Sequence, residues 1–119
     1  MAEPMTQVGE QPYVTTTFEP PPGWRLERSL GVAFGLVVRS VGFAKGFTGS
    51  LRALKAGEVT EYTQVLEESR RHAMDRLLEN ARLLGANAVL GMRFDSEEVG
   101  NGLAEILAYG TAVVIVPTG

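Results

Sequence analysis

The sequence predicts an α+β domain: an antiparallel sheet in the order β-β-α-β-β with one main helix packed on it. Three observations predict it. Arg25–Ser40, Ala86–Asp95 and Leu103–Val116 have the length and the alternating or continuously apolar pattern of strands. Thr60–Leu84 instead carries one long apolar stripe of helical period. Pro20–Gly23, Gly85 and Gly100–Gly102 punctuate the chain between these segments.

A length of 119 residues is that of one domain, read as residues 13–119 behind a flexible polar tail of residues 1–12. Its 45% apolar and 21% charged residues are ordinary globular composition. A net charge of −3 argues against a general nucleic-acid binder, which needs clustered Lys and Arg. The absence of Cys excludes disulfides, thiolate nucleophiles and Cys-based zinc or iron–sulfur sites. No apolar run reaches the ~20 residues of a membrane-spanning helix. The start, MAEPMTQVGEQP, has neither the basic nor the apolar stretch of a secretory signal, so the cytoplasm is the expected location.

Tyr13–Phe18, YVTTTF, is rich in aromatic and β-branched residues and predicts a short strand. Pro20, Pro21 and Pro22 cannot donate to a ladder and predict a stiff turn. In Arg25–Ser40 the even positions, Leu26 to Val38, are almost all apolar and predict the core face. Gly31, Ala33 and Gly35 on the other face predict a bulge or the close approach of another backbone, a subunit contact included. Val41–Gly57 holds four glycines and reads as a mobile connection with a short helical turn around Ser50–Lys55. It lacks the spacing of a phosphate-binding loop.

In the helix, Thr60 is placed to cap and Gly85 to stop. At ~100° per residue, Tyr62, Val65, Leu66, Ala73, Leu77, Ala81 and Leu84 share a face, and Met74 and Leu78 widen it. Arg70 falls inside this arc, where it either snorkels to solvent or meets an acidic residue across a subunit contact. Ala86–Asp95 is the third strand, Ser96–Gly102 a polar turn, and Leu103–Val116 the hairpin partner. That last strand is apolar on nearly all of both faces. A strand of a small antiparallel sheet usually has one wet face. A second copy of the chain is the simplest cover, which predicts an obligate homo-oligomer and assigns the small residues Ala108, Gly110 and Ala112 to the contact.

The segments TTT (Thr15–Thr17), LGVAFGLVVRS (Leu30–Ser40), LLGANAVLGMRFD (Leu83–Asp95) and EILAYGTAVV (Glu105–Val114) together resemble the YbjQ family. The likeness spans about Tyr13 to Val116. It implies a dodecin-like fold and a homopentameric ring. The family carries the description "putative heavy-metal-binding", which makes a divalent metal ion the cofactor to test.

Heavy metals prefer thiolates and imidazoles, and this chain has one imidazole, His72. Glu68, His72 and Asp75 share a helix face at a spacing that could hold a divalent ion, although Arg71 and Arg76 beside them oppose a cation. The acidic residues Asp95, Glu97, Glu98 and Glu105 offer an alternative set of oxygen ligands. Six polar residues interrupt the apolar strands: Arg39, Arg93, Asp95, Glu105, Tyr109 and Thr111. A charge in such a strand needs a partner. They form an ion-pair network that fixes strand register, or line a ligand site at subunit interfaces, with Arg39 and Arg93 suited to a small anion. Asp95 and Glu105, if aligned, have the makings of an acid–base pair. The sequence thus leads to a ring-forming protein without enzymatic activity that binds a small ligand or partner between subunits. Its alternatives are a metal-binding protein using His72 and acidic side chains, and an enzyme with an intersubunit carboxylate–Arg site. Nucleic acid and membrane are not expected partners.

Overall fold

A computed structural model describes residues 10–40, 60–100 and 102–119. The predicted tail, except for residues 10–12, and the predicted Val41–Gly57 connection with its helical turn lie outside these residues. The elements are β1 (Tyr13–Val14), β2 (Trp24–Ser40), α1 (Thr60–Leu83), β3 (Ala88–Gly100) and β4 (Leu103–Pro117).

The four strands form one sheet in the spatial order β1-β3-β4-β2. β4 is central, antiparallel to β2 on one side and to β3 on the other. β1 runs parallel to β3, pairing Tyr13 with Ala88 and Val14 with Val89. The sheet is therefore mixed, which corrects the antiparallel layout expected from sequence. The cause lies in Pro20–Pro22. A hairpin needs a tight reversal with ladder donors on both sides, and three successive prolines supply none. The chain instead leaves β1 and reaches the opposite edge, where Gly23, at φ 87°, turns it into β2. Beyond Val14 the backbone still bonds to β3, with the Thr15 N–H donating to Val89 O and the Met92 and Gly91 N–H groups donating to Thr15 O and Thr17 O.

Helix α1 ends as the sequence predicts. The Ala86 N–H donates to Ala81 O and the Gly85 N–H to Arg82 O, with Gly85 at φ 97°. This pair of bonds around a left-handed residue satisfies the last carbonyls and turns the chain sharply toward β3. Leu84, predicted on the apolar face, is exposed beyond the stop. The predicted cap at Thr60 and the side chain of Tyr62 lie outside the described residues. Ala73, Leu77, Leu78 and Ala81 are buried against the sheet, with Val37, Ile106, Ala108 and Ala112 below them. Ser69 is buried among them and donates to Val65 O one turn back, which satisfies its hydroxyl.

The face of β2 that the helix covers is the reverse of the one expected. Ala33, Gly35 and Val37 are buried beneath α1, and Val32, Phe34, Leu36 and Val38 point away, whereas Leu30, before the register shift at Gly31, packs against the helix-side core. A Cβ on Gly35 would collide with the carbonyl of Ala73 and the amide of Leu77. The helix backbone rests directly on this position, so only a stripe of small residues fits. Both expected features are present at different points of the stripe: the register slips between Ser29 and Gly31, where Gly31 has φ 97°, and at Gly35 the backbone that approaches closely is the helix of the same chain. Gly110 on β4 is crowded from another side, by β3, where a Cβ would meet Val89 Cγ1 at 2.6 Å. Ala108, Gly110 and Ala112 are thus buried within one chain, contrary to their predicted intersubunit role.

The polar turn expected over Ser96–Gly102 is shorter. Ser96, Glu97 and Glu98 continue the β3 ladder opposite Ile106, Glu105 and Ala104, and Gly100 still pairs with Leu103. Ladder hydrogen bonds carry the strand through a polar run because its side chains reach water at this end of the hairpin.

Candidate functional site

Directly paired residues of antiparallel strands share a face, so the register sorts every strand residue. The helix lies on one face. On the other, Val32, Phe34, Leu36 and Val38 of β2 pair with Thr111, Tyr109, Leu107 and Glu105 of β4. Across β4, Arg93, Asp95 and Glu97 of β3 pair with Tyr109, Leu107 and Glu105. Five of the six predicted strand residues, Arg93, Asp95, Glu105, Tyr109 and Thr111, therefore occupy one sheet face. The sixth does not. Arg39 pairs with Ala104 on the helix side, so within a chain Arg39 and Arg93 lie on opposite faces and do not form one anion site.

This face is unevenly covered. Toward the β1 end, Ala88, Leu90, Val113 and Ile115 form a second buried cluster with Tyr13 and Trp24 packed against it. Trp24 is thus a plug at the rim of the core. Toward the hairpin, no described element covers the face. Val32 is 58% exposed, Phe34 53%, Leu36 43% and Val38 55%, a continuous apolar row on alternate residues of one strand.

The polar residues around the row are not ion-paired with one another. Among the described residues the salt bridges are Glu27–Arg28 at 3.3 Å and Glu79–Arg82 at 2.8 Å. Arg93 instead donates through Nη1 to Thr16 O and Met92 O, both at 2.9 Å, and its guanidinium lies 5.3 Å from the centre of the Phe18 ring. It clamps the segment after β1 onto β3. Asp95 accepts from the Ser96 N–H at 3.0 Å. Glu105 stands opposite Glu97, not Asp95; the pair that sequence suggested as acid and base is offset along the strands. Arg70, on the covered face, lies 5.7 Å from the Phe94 ring centre. Its stem follows the sheet while its charge finds an aromatic face.

The metal candidates fall elsewhere. His72 and Asp75 line an open groove of about 730 Å³ between α1 and the outer edge of β2, together with Phe34, Leu36, Arg76, Glu79 and Asn80. Glu68 is exposed on the helix and does not line the groove. Among the described residues no three of His, Asp and Glu converge as a metal-holding group. Glu79 is engaged by Arg82, whose hydrogen bond and charge hold its carboxyl below the ordinary range.

Sequence reasoning missed Asn87. Its side-chain amide donates to Ile115 O at 2.9 Å while its Oδ1 accepts from the Ile115 N–H at 2.8 Å. The side chain imitates a strand residue and extends the β3–β4 ladder by one pair. Its signal was its place, a lone amide between Ala86 and Ala88 at the entry to a buried strand.

These features define a small α+β protein whose sheet is covered by a helix on one face and, among the described residues, left open and apolar over part of the other. The chain belongs to the YbjQ family: the family model, described as "Putative heavy-metal-binding", matches residues 13–116. A UPF0145 protein of Bradyrhizobium sp. is 54% identical over 108 residues, covering 91% of this chain and 97% of its own. A UPF0145 protein of Methanoregula boonei is 52% identical over 96 residues, covering 81% and 80%. Among solved structures, a protein of unknown function from Pediococcus pentosaceus superposes with a TM-score of 0.57 at 16% identity, over 88% of this chain and 98% of that one. That likeness bears on the fold alone. No helix among the described residues is long and apolar enough to cross a membrane.

Proposed function

We propose that this protein is a cytoplasmic homo-oligomer, a ring of five by its family resemblance, that binds a small ligand or partner at subunit boundaries without catalysing a reaction. The observation that carries the proposal is the apolar row Val32, Phe34, Leu36 and Val38, open to water beside half-buried Leu107 and Tyr109. Contiguous exposed apolar surface of this kind marks an interaction site. A second copy of the chain is the occupant. In such an assembly Arg93, Asp95, Glu105, Tyr109 and Thr111 come to lie along the boundary, because they share the face. Glu97 opposite Glu105 supports the same reading. Like charges directly opposed on a sheet are unfavourable, and a neighbour's basic group relieves them.

Native mass spectrometry on untagged protein, purified without metal-affinity resin, tests this. The expected result is a single oligomer carrying a reproducible extra mass. A monomer at working concentration overturns the assembly, and an oligomer without added mass overturns the carrier role.

The family description favours a second reading, a metal-binding protein. His72 and Asp75 in one groove supply two ligands, so a complete site needs further ligands from another subunit or from water. Stoichiometric zinc retention that disappears in His72→Ala supports this reading, and retention unchanged by that substitution removes His72 from it.

A further inference from the structure

Among the described residues the sheet has two long edges without a pairing strand, and they differ in charge. Beyond the short β1, the outer edge of β3 runs through Arg93, Asp95, Glu97 and Glu98. Charged side chains on an exposed edge discourage another strand from pairing there. The other edge is β2, with no described element beyond it. From Leu30 to Val38 it reads LGVAFGLVV, without a charge or a proline. A long apolar edge strand of this composition is a template for strand addition and aggregation.

Two side chains from the helix reach over this edge. The Arg76 Nη1 donates to Leu36 O at 2.9 Å, and the Asn80 Nδ2 donates to Phe34 O at 2.6 Å. In an antiparallel pair, backbone groups of alternate residues point toward the partner and away from it. Phe34 and Leu36 therefore present both their N–H and their C=O outward, and the helix occupies the carbonyls in the middle of the edge. Arg76 and Asn80 are one turn apart on α1, and they reach β2 because the helix rests on Gly35 between Phe34 and Leu36.

We propose that Arg76 and Asn80 are edge guards: by engaging the outward carbonyls of Leu36 and Phe34 they prevent a second β2 from adding to this edge as a strand. The apolar side chains of β2 can then be covered only through the sheet face, which leaves a closed assembly and not an open-ended sheet. The guard stands on the hydrogen bonds and the topology, whether or not the ring proposed above forms.

The test is the Arg76→Ala/Asn80→Ala double variant of the full chain, followed by thioflavin T fluorescence and by sedimentation of large species. The expected result is several-fold more thioflavin-positive sediment than wild type under the same conditions. Adding Leu36→Pro to the double variant should abolish the gain, since the Leu36 N–H faces outward and proline there removes an edge donor without breaking a bond to β4. Adding Leu36→Ala, which shortens the side chain but keeps the N–H, should not. Wild-type behaviour of the double variant overturns the proposal. So does equal rescue by Leu36→Ala, which would place the aggregation on the face. Where circular dichroism shows the double variant unfolded, Asn80→Asp decides: it keeps the side-chain size but replaces the donor, so more thioflavin-positive sediment from a folded Asn80→Asp protein supports the guard and none overturns it.

Discussion

The two faces of the sheet solve the same packing problem in opposite ways. Under the helix, β2 and β4 present Ala33, Gly35, Ala108, Gly110 and Ala112, all buried, and bring the helix backbone down onto the strand. On the other face the same two strands present Val32, Phe34, Leu36, Leu107 and Tyr109, large side chains left half-buried or exposed. Around Gly35 small residues mark where the helix backbone reaches the strand, while the large row from Val32 to Val38 lies where no described element covers the sheet. The difference teaches that in β2 the apolar stripe is not the core of the folded chain.

The comparison breaks most severely at Gly35. Gly35→Val puts side-chain carbon into the Ala73 carbonyl and the Leu77 amide, and the helix must lift from the sheet. Overpacking costs typically about 1–3 kcal/mol and more where backbone must move, so urea unfolding should show a strongly lowered midpoint. Gly110→Leu should act the same way, through Val89 and Met92, by unfolding the chain and not merely separating subunits. A folded monomer from either variant would return the small stripe to an intersubunit role.

The opposite face breaks without unfolding. Phe34→Asp with Leu36→Asp leaves the residues under the helix untouched and removes two large apolar groups from the proposed contact. Burying such a side chain is worth roughly 1.5–3 kcal/mol. Losing two should weaken association by at least ~100-fold, at a tenfold change per ~1.4 kcal/mol. Analytical ultracentrifugation should then find monomers whose circular dichroism matches wild type. An intact oligomer would place the subunit contact elsewhere.

How much of this was legible follows from what each pattern encodes. The helix limits and its buried face were readable because period, length and a terminal glycine all pointed one way. The long strands were readable for the same reason. The facing of β2 was not: alternation says which residues lie together, but not which side receives the helix. That choice rests on Gly35, whose meaning depends on a helix some forty residues later in the chain. The parallel pairing of β1 was hidden because two residues beside a proline turn carry no directional signal. Parity groups Arg93 with Asp95 on β3 and Glu105, Tyr109 and Thr111 on β4, but that the two groups share a face is set by the β3–β4 register. Arg39 was misplaced with them because its facing on β2 is fixed only by the β2–β4 register.

At the closed end of the open face, Asn87 gives a smaller and sharper test. Asn87→Ala leaves both backbone groups of Ile115 without the side chain that satisfies them. An unsatisfied buried polar group costs about 1–3 kcal/mol. The expected outcome is a loss of that size in urea unfolding with the oligomer retained. Asn87→Asp should be intermediate, since a carboxylate still accepts from the Ile115 N–H but no longer donates to its carbonyl. Equal stability of Asn87→Ala and wild type would show that water takes the place of the side chain and that this end of the sheet is not closed.

The smallest effect belongs to Glu79–Arg82, an exposed pair on the helix surface beside the β2 groove. The Arg82 hydrogen bond lowers the Glu79 carboxyl from its ordinary value. A carboxyl lowered in the folded state contributes stability that is present in full above its unfolded value and is lost as pH falls through the folded one. Because the pair is exposed, solvent and salt screen it. Wild type and Glu79→Gln should therefore unfold within the scatter of the measurement at neutral pH and remain together through the acid range. A clear gap at neutral pH that closes on acidification would mean that the pair is desolvated. In the isolated chain nothing described covers it, so a neighbouring subunit would have to, and this part of the helix surface would then join the open sheet face as a surface of the assembly.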